Sequence, residues 1–227
     1  MATSGTKTFN PDYAEMVTEA FERCGIRPNQ ITTDFLQSAR RSCNLLLEAW
    51  TVKGYNLWKV DLIEIPMLSG VAVYQVPSDT INLLDCYLTQ VSGGADIPMP
   101  KMGRTEYSNI PNKAQVGRPN QLWFERVPVP KVHVYMVPPS DGQYILKCYR
   151  INQFEDAGIA NAETSDLVYR MHEPFIAGLA AKLSEKFAPD REDKLLAKAK
   201  ISWDEATADD REGTPITIMP NFSDYYR

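Results

Sequence analysis

The chain has 227 residues, 44% hydrophobic and 23% charged, which excludes wholesale disorder and leaves room for one large domain or one domain carrying an insertion. The net charge of -5 argues against a simple wrapper of nucleic acid, because such proteins neutralise phosphates with an excess of Lys and Arg. The four cysteines, Cys24, Cys43, Cys86 and Cys148, form no CxxC and read as buried free thiols. No apolar signal segment opens the sequence, and no run approaches the roughly 20 residues of a membrane span. Synthesis in a reducing cytoplasm without a membrane partner is expected.

In chain order, residues 1–9 are small and polar and are expected to be mobile. Asn10-Pro11-Asp12 reads as a helix start, with a capping side chain, Pro at the first position and an acid in the first turn. Tyr13, Met16, Val17, Ala20, Phe21 and Cys24 then recur at helical spacing, and Gly25 ends the run. Thr32, Thr33 and Asp34 offer the next cap. The stripe Leu36, Ala39, Cys43, Leu46, Leu47 and Trp50 follows, stopped at Gly54, and the two helices should pack on each other. An aromatic pair, Tyr55 and Trp58, leads out of them.

From about Val60 to Ile151 the period changes. The runs Leu62–Ile65, Val71–Val76, Leu83–Val91, Gln121–Arg126, Val132–Val137 and Tyr144–Tyr149 are short, β-branched and aromatic, and divided by Pro and Gly. They predict an antiparallel β-sandwich or barrel, with a short helix at Arg104–Ile110. Helical spacing returns after Asp166: Pro174 opens a stripe of Phe175, Ile176, Leu179, Leu183 and Phe187. Pro189-Asp190 breaks it, acids in the Asp190–Lys194 run start the next helix, and Leu195, Leu196, Ala199, Trp203 and Ala206 form the last stripe. The expected class is α+β, a four-helix bundle with an inserted antiparallel β-domain and an extended tail. The divisions are 1–59 for the first half of the bundle, 60–167 for the β-domain, 168–212 for the second half and 213–227 for the tail. That tail is apolar and Pro-broken, too short for a helix and without a strand partner in the neighbouring sequence.

No motif announces a reaction. There is no Gly-rich phosphate loop and no spaced ligand cluster, so no cofactor or metal is expected. His133 and His172 read as surface or capping histidines. The acids Glu15, Glu19, Glu22, Glu48, Asp61, Glu64, Glu155 and Asp156 allow a carboxylate pair for glycosidic cleavage to be imagined, but those of the first helix have the spacing of a solvated face. Lys101, Arg104, Lys113 and Arg118 form the main basic cluster of the β-region, with Tyr107 and Trp123 nearby; it reads as a charged loop rim, or as a positive belt if repeated around a ring.

The order of features resembles the head-to-tail adaptor proteins of short-tailed bacteriophages over residues 10–212. The resemblance rests on the stretch Leu45 to Asp79, with Gly54, the Tyr55 and Trp58 pair, the Ser69-Gly70 turn and the exit Val76-Pro77-Ser78-Asp79. It continues through Glu106–Lys113 into Gly117-Arg118-Pro119, Trp123–Arg126, Val134–Pro139, Tyr144–Arg150, and Phe175 to Leu183.

The resemblance implies a virion protein of the head-tail junction, made in the bacterial host cytoplasm. It implies a homododecameric ring below the portal protein, a platform for the tail nozzle or tube protein, and retention and channelling of double-stranded DNA without sequence preference. By position and character, the portal contact maps onto Ile216, Ile218, Met219, Phe222, Tyr225 and Tyr226. From the basic cluster itself, the expected DNA contact is weak and salt-sensitive, through Lys101, Arg104, Lys113 and Arg118 where these face the channel. The expectation is a structural protein and not an enzyme. Two alternatives stand beside it, a virion-associated cell-wall hydrolase and another tail-tube or head-closure connector.

Overall fold

The computed structural model describes residues 5–6, 8–53, 57–140, 143–158 and 164–208. The expected stop at Gly54, Tyr55 of the aromatic pair, and the tail 213–227 with its six portal-contact residues lie outside the described residues. Within them the protein is a mixed α+β structure of five α-helices and two antiparallel sheets.

Helix α1 (Tyr13–Cys24) starts two residues later than expected. Asp12 is the N-cap, its carboxylate accepting the Glu15 N–H at 2.7 Å, so Pro11 precedes the helix instead of opening it. Gly25 closes α1 at φ +86°, with its own N–H on Glu22 O and the Ile26 N–H on Phe21 O. A side chain at Gly25 would also collide with the Arg191 guanidinium, 2.6 Å from an ideal Cβ. All six stripe residues of α1 are buried.

Helix α2 (Thr33–Lys53) buries Ala39, Cys43, Leu46, Leu47 and Trp50 as expected, but Leu36 is exposed. It sits in the first turn of α2, on a groove between α1 and α2 rather than under a helix. Helix α4 (His172–Phe187) begins two residues before Pro174, which lies in the first turn, where its missing N–H costs no helical bond. A 3-10 turn at Pro189–Arg191 then reverses the chain into α5 (Glu192–Thr207).

The sequence reading places these four helices in one bundle; the structure shows that they contribute to one shared core. Helix α4 is central, and α1, α2 and α5 each pack on it. Helices α1 and α2 meet at Phe21 and Phe35, whose rings lie 5.8 Å apart, with Phe187 of α4 closing the cluster at 4.4 Å from Phe35. Gly178 lets α4 approach α2, since a Cβ there would lie 3.2 Å from a Leu46 methyl. The shared core is ring-rich: Phe175 touches Tyr13 and Trp50 edge-on, at 6.0 and 5.8 Å.

The β-region forms two sheets. One has the order β1 (Val60–Pro66), β7 (Tyr144–Asn152), β3 (Thr80–Gln90) and β4 (Ile97–Pro98). The other is β2 (Val73–Gln75), β6 (Lys131–Tyr135) and β5 (Gln121–Glu125). All ladders are antiparallel, and the two sheets share one core that includes Leu83, Leu88, Leu146 and Cys148 from the first and Tyr74, Leu122, Val132 and Val134 from the second. The Ser69-Gly70 turn is present, with Gly70 at φ +75° and Tyr74 Oη bonded to the Leu68 and Val71 backbone. The turn carries the chain from one sheet to the other rather than pairing β1 with β2. The short helix α3 (Arg104–Asn109) lies where expected.

Two polar ties bind this unit. Inside the first sheet, buried Arg150 grips Asp61 with two nitrogens at 2.7 and 3.0 Å, Asp79 at 2.6 Å and Thr80 Oγ1 at 2.9 Å. At the junction with the helices, Lys59 Nζ meets Asp166 Oδ2 at 2.6 Å, and the same oxygen accepts the Glu155 N–H at 3.1 Å. Beyond β7 the chain returns at once to the helical side: Phe154, Ala157 and Leu167 are buried in the helical core.

Candidate interaction surfaces

The first surface lies on the helical layer. The stripe expected for α5 is only partly covered: Leu195 is buried and Trp203 half-buried, but Leu196 is 59% exposed and Ile201, off the stripe, 57%. On α2, Leu45 and Val52 face outward. Between α2, α4 and α5 runs a groove of about 830 Å³ whose floor includes Leu46, Trp50, Gly178 and Ala181. Trp203 forms one wall, 4.6 Å from the Trp50 ring with Lys53 Nζ 4.1 Å above it. Lys182, Lys200, Glu185, Glu192, Asp193 and Asp204 rim the groove. An apolar floor with a rim of both charge signs suits an apolar segment of another chain.

The second surface is the outer face of β5 and β6. Tyr107 of α3 stacks on Trp123 at 5.1 Å, and His133 lies 4.5 Å from Trp123 and 5.2 Å from Tyr107. His133 is therefore neither a surface nor a capping residue; it is half-buried in an aromatic stack, with Nε2 3.0 Å from Glu125 Oε2. His172 also departs from its reading, being buried as the first residue of α4. Its Nε2 has no hydrogen-bond partner among the described residues. Burial, then the Glu125 charge, push the Tyr107 phenol up from its ordinary value.

The four expected DNA-channel residues all lie on the segment 101–118, which hydrogen-bonds alongside β5 at Met102 and alongside Val137 at Gly117. They are not equivalent. Lys101 Nζ donates to Leu83 O at 2.8 Å, and Lys113 Nζ donates to Ser108 O and Ile110 O at 3.0 Å each, closing the end of α3. Arg104, at the first position of α3, and Arg118 are exposed and form no ion pair among the described residues. Tyr107 and Trp123 were visible in the sequence as neighbours of this cluster; the contact with His133 was not, because it depends on the pairing of Trp123 opposite His133.

The candidate carboxylates are dispersed. Asp61 belongs to the Arg150 clamp: burial opposes its charge, but hydrogen bonds from Arg150 and Asn152 and the Arg150 and Lys59 charges outweigh burial and hold the carboxyl below its ordinary value. Glu19 pairs with Arg23 at 2.9 Å, and Arg23 also takes both oxygens of Glu173 on α4 at 2.7 Å. Glu15 and Glu22 lie on α1, Glu48 on α2, Glu64 on β1, and Glu155 and Asp156 side by side on the loop after β7. Among the described residues no group of three or more His, Cys, Asp or Glu is placed to hold a metal ion. No described helix is long and apolar enough to cross a membrane. All four cysteines are buried free thiols. Comparison with protein-family models gives no match, and comparison with curated proteins gives none either.

Proposed function

We propose that this chain is a structural ring subunit, a head-to-tail adaptor that assembles below the portal of a short-tailed bacteriophage particle, joins head to tail, and channels and retains packaged double-stranded DNA. The observation that carries this reading is the helical groove, with Leu196, Ile201, Leu45 and Val52 displayed around the outer helices. Apolar side chains grouped on one layer are what a chain buries against other chains. In a homododecamer the four long helices act as a bundle in the ring wall, and Arg104 and Arg118 repeat as a positive belt along the DNA path. Residues Ile216, Ile218, Met219, Phe222, Tyr225 and Tyr226 engage the portal, and the β-domain meets the tail protein. A cell-wall hydrolase is less well supported, because Glu19 and Asp61 are already engaged by arginines.

The test is mass photometry of the full chain, alone and with a purified portal ring. Expected is a gain of about twelve copies on the portal, lost when residues 214–227 are deleted while the melting temperature stays nearly unchanged. Absence of any complex with portal rings, together with cleavage of purified cell wall that Glu-to-Gln variants abolish, would overturn the reading.

A further inference from the structure

The central strands β3 and β7 place two thiols face to face. Cys86 stands directly opposite Cys148 in the antiparallel register. Residues so paired point to the same face, with Cα atoms about 4.5–5.5 Å apart, inside the span of about 4.4–6.8 Å that a disulfide bridges. Both side chains belong to the core shared by the two sheets. The other two cysteines, Cys24 and Cys43, lie in the helical core and cannot compete for either partner.

A register shift between Leu83 and Cys86 produces this pairing. Leu83 faces Arg150, and three residues on, Cys86 faces Cys148, two residues back along β7. The extra residue on β3 turns Cys86 into the core beside its partner. Two observations distinguish the two thiols. Cys86 retains 4% exposure and Cys148 none, so a reagent entering the core meets Cys86 first. Lys101 Nζ is held nearby on Leu83 O, and its positive charge favours a thiolate at Cys86.

We propose that Cys86 and Cys148 are a dithiol pair that closes to an intramolecular disulfide under a two-electron thiol oxidant, with Cys86 as the attacking thiolate and Cys148 as the resolving thiol. This inference is independent of the ring reading. The neighbouring Cys148 thiol, opposed by burial and aided by Lys101, holds the Cys86 thiol below its ordinary value, while the Cys86 thiol and burial push Cys148 up. With an azodicarboxamide such as diamide, the Cys86 sulfur adds to one nitrogen of the N=N bond, and the other nitrogen takes a proton. Cys148 then attacks Cys86 Sγ. The S–S bond forms, the S–N bond breaks, and its electron pair and the Cys148 proton go to nitrogen. Two thiols are oxidised and one azo group is reduced to a hydrazine.

The experiment treats the full chain with diamide, alkylates the remaining thiols in denaturant, and maps tryptic peptides without reduction. Expected is a link between peptides 60–101 and 148–150, with Cys24 and Cys43 recovered as alkylated thiols, reversal by dithiothreitol, and a melting temperature raised by several degrees in the oxidised protein. Cys148→Ser should trap the diamide adduct on Cys86, whereas Cys86→Ser should leave Cys148 unmodified. Recovery of Cys86 and Cys148 as free thiols after prolonged treatment, or links from either to Cys24 or Cys43, would overturn the pair. Adduct on Cys148 in the Cys86→Ser protein would overturn the assigned order. The mapping of the unsubstituted chain needs no variant and decides the pair by itself.

Discussion

The two halves of the molecule are built to opposite rules. The helical layer packs rings, Tyr13, Phe21, Trp50 and Phe175, around one central helix, and it leaves apolar side chains on its outer helices. The β-region packs mostly aliphatic, Met and Cys side chains between two sheets and holds a buried arginine among acids. A helix presents side chains all around its axis, so a layer resting on one hub leaves part of each outer helix uncovered. A sheet has only two faces, and two sheets that share a core turn one face of each inward. The difference lies in the cores and the polar ties; exposed apolar side chains occur in both regions, with Leu62, Val73, Ile97 and Tyr149 on the strands beside Leu45, Val52, Leu196 and Ile201 on the helices.

The largest effect should come from the hub. Phe175 is fully buried and touches both Tyr13 and Trp50, so Phe175→Ala should cost about 3–5 kcal/mol in chemical denaturation. Leu183→Ala, also on the buried face of α4, should cost about 2–5 kcal/mol. A loss under about 1 kcal/mol for both would mean that α4 is not the centre of the helical half.

Next is the clamp of the sheet. Arg150→Ala leaves Asp61 and Asp79 without their partner and should cost about 2 kcal/mol, discounted because both acids are nearly half exposed. A smaller effect is expected in acid. Asp61 is held ionised below its ordinary value, so its stabilising contribution is complete above about pH 4, where the unfolded carboxyl is charged, and is lost as pH falls through the folded value. The melting temperature should therefore decline on that limb, and Asp61→Asn should flatten it while lowering stability at neutral pH. An unchanged limb in Asp61→Asn would assign acid sensitivity to other groups.

The smallest effect on folding sharpens the contrast most. Leu196→Ser and Ile201→Ser should change stability by less than about 0.5 kcal/mol, since both side chains already face water. If the proposed ring forms, the same pair should weaken its assembly measured by mass photometry. A large loss of stability in the isolated chain would place these residues in its own core.

How much could be read in advance follows from these rules. The stripes of α1 and α4 were legible because helical spacing brings Met16, Ala20, Phe21, Leu179 and Leu183 onto buried faces, and all of them are buried. Leu36 and Leu196 fit the same spacing yet are exposed, because periodicity names a face but not whether a neighbour covers it. The six longer strands were legible from β-branched runs, while the two-residue β4 is too short to carry a pattern. At the candidate surfaces, Lys101, Arg104, Lys113 and Arg118 were visible as a cluster; that Lys101 and Lys113 are anchored to backbone carbonyls was not.

By itself the sequence determined where the chain is helical, where it is extended and where it turns, because capping, spacing and Pro–Gly punctuation act over a few residues. Gly25, Gly70 and Pro189 each mark such a local boundary. Only the tertiary structure decided that α4 is the hub and that β1 and β2, adjacent in sequence, lie in different sheets. It also decided that Arg150 meets Asp61 across 89 positions and that Cys86 faces Cys148. Those pairings join distant segments with no tight turn between them to fix the register, so it follows from matching the buried faces of whole strands.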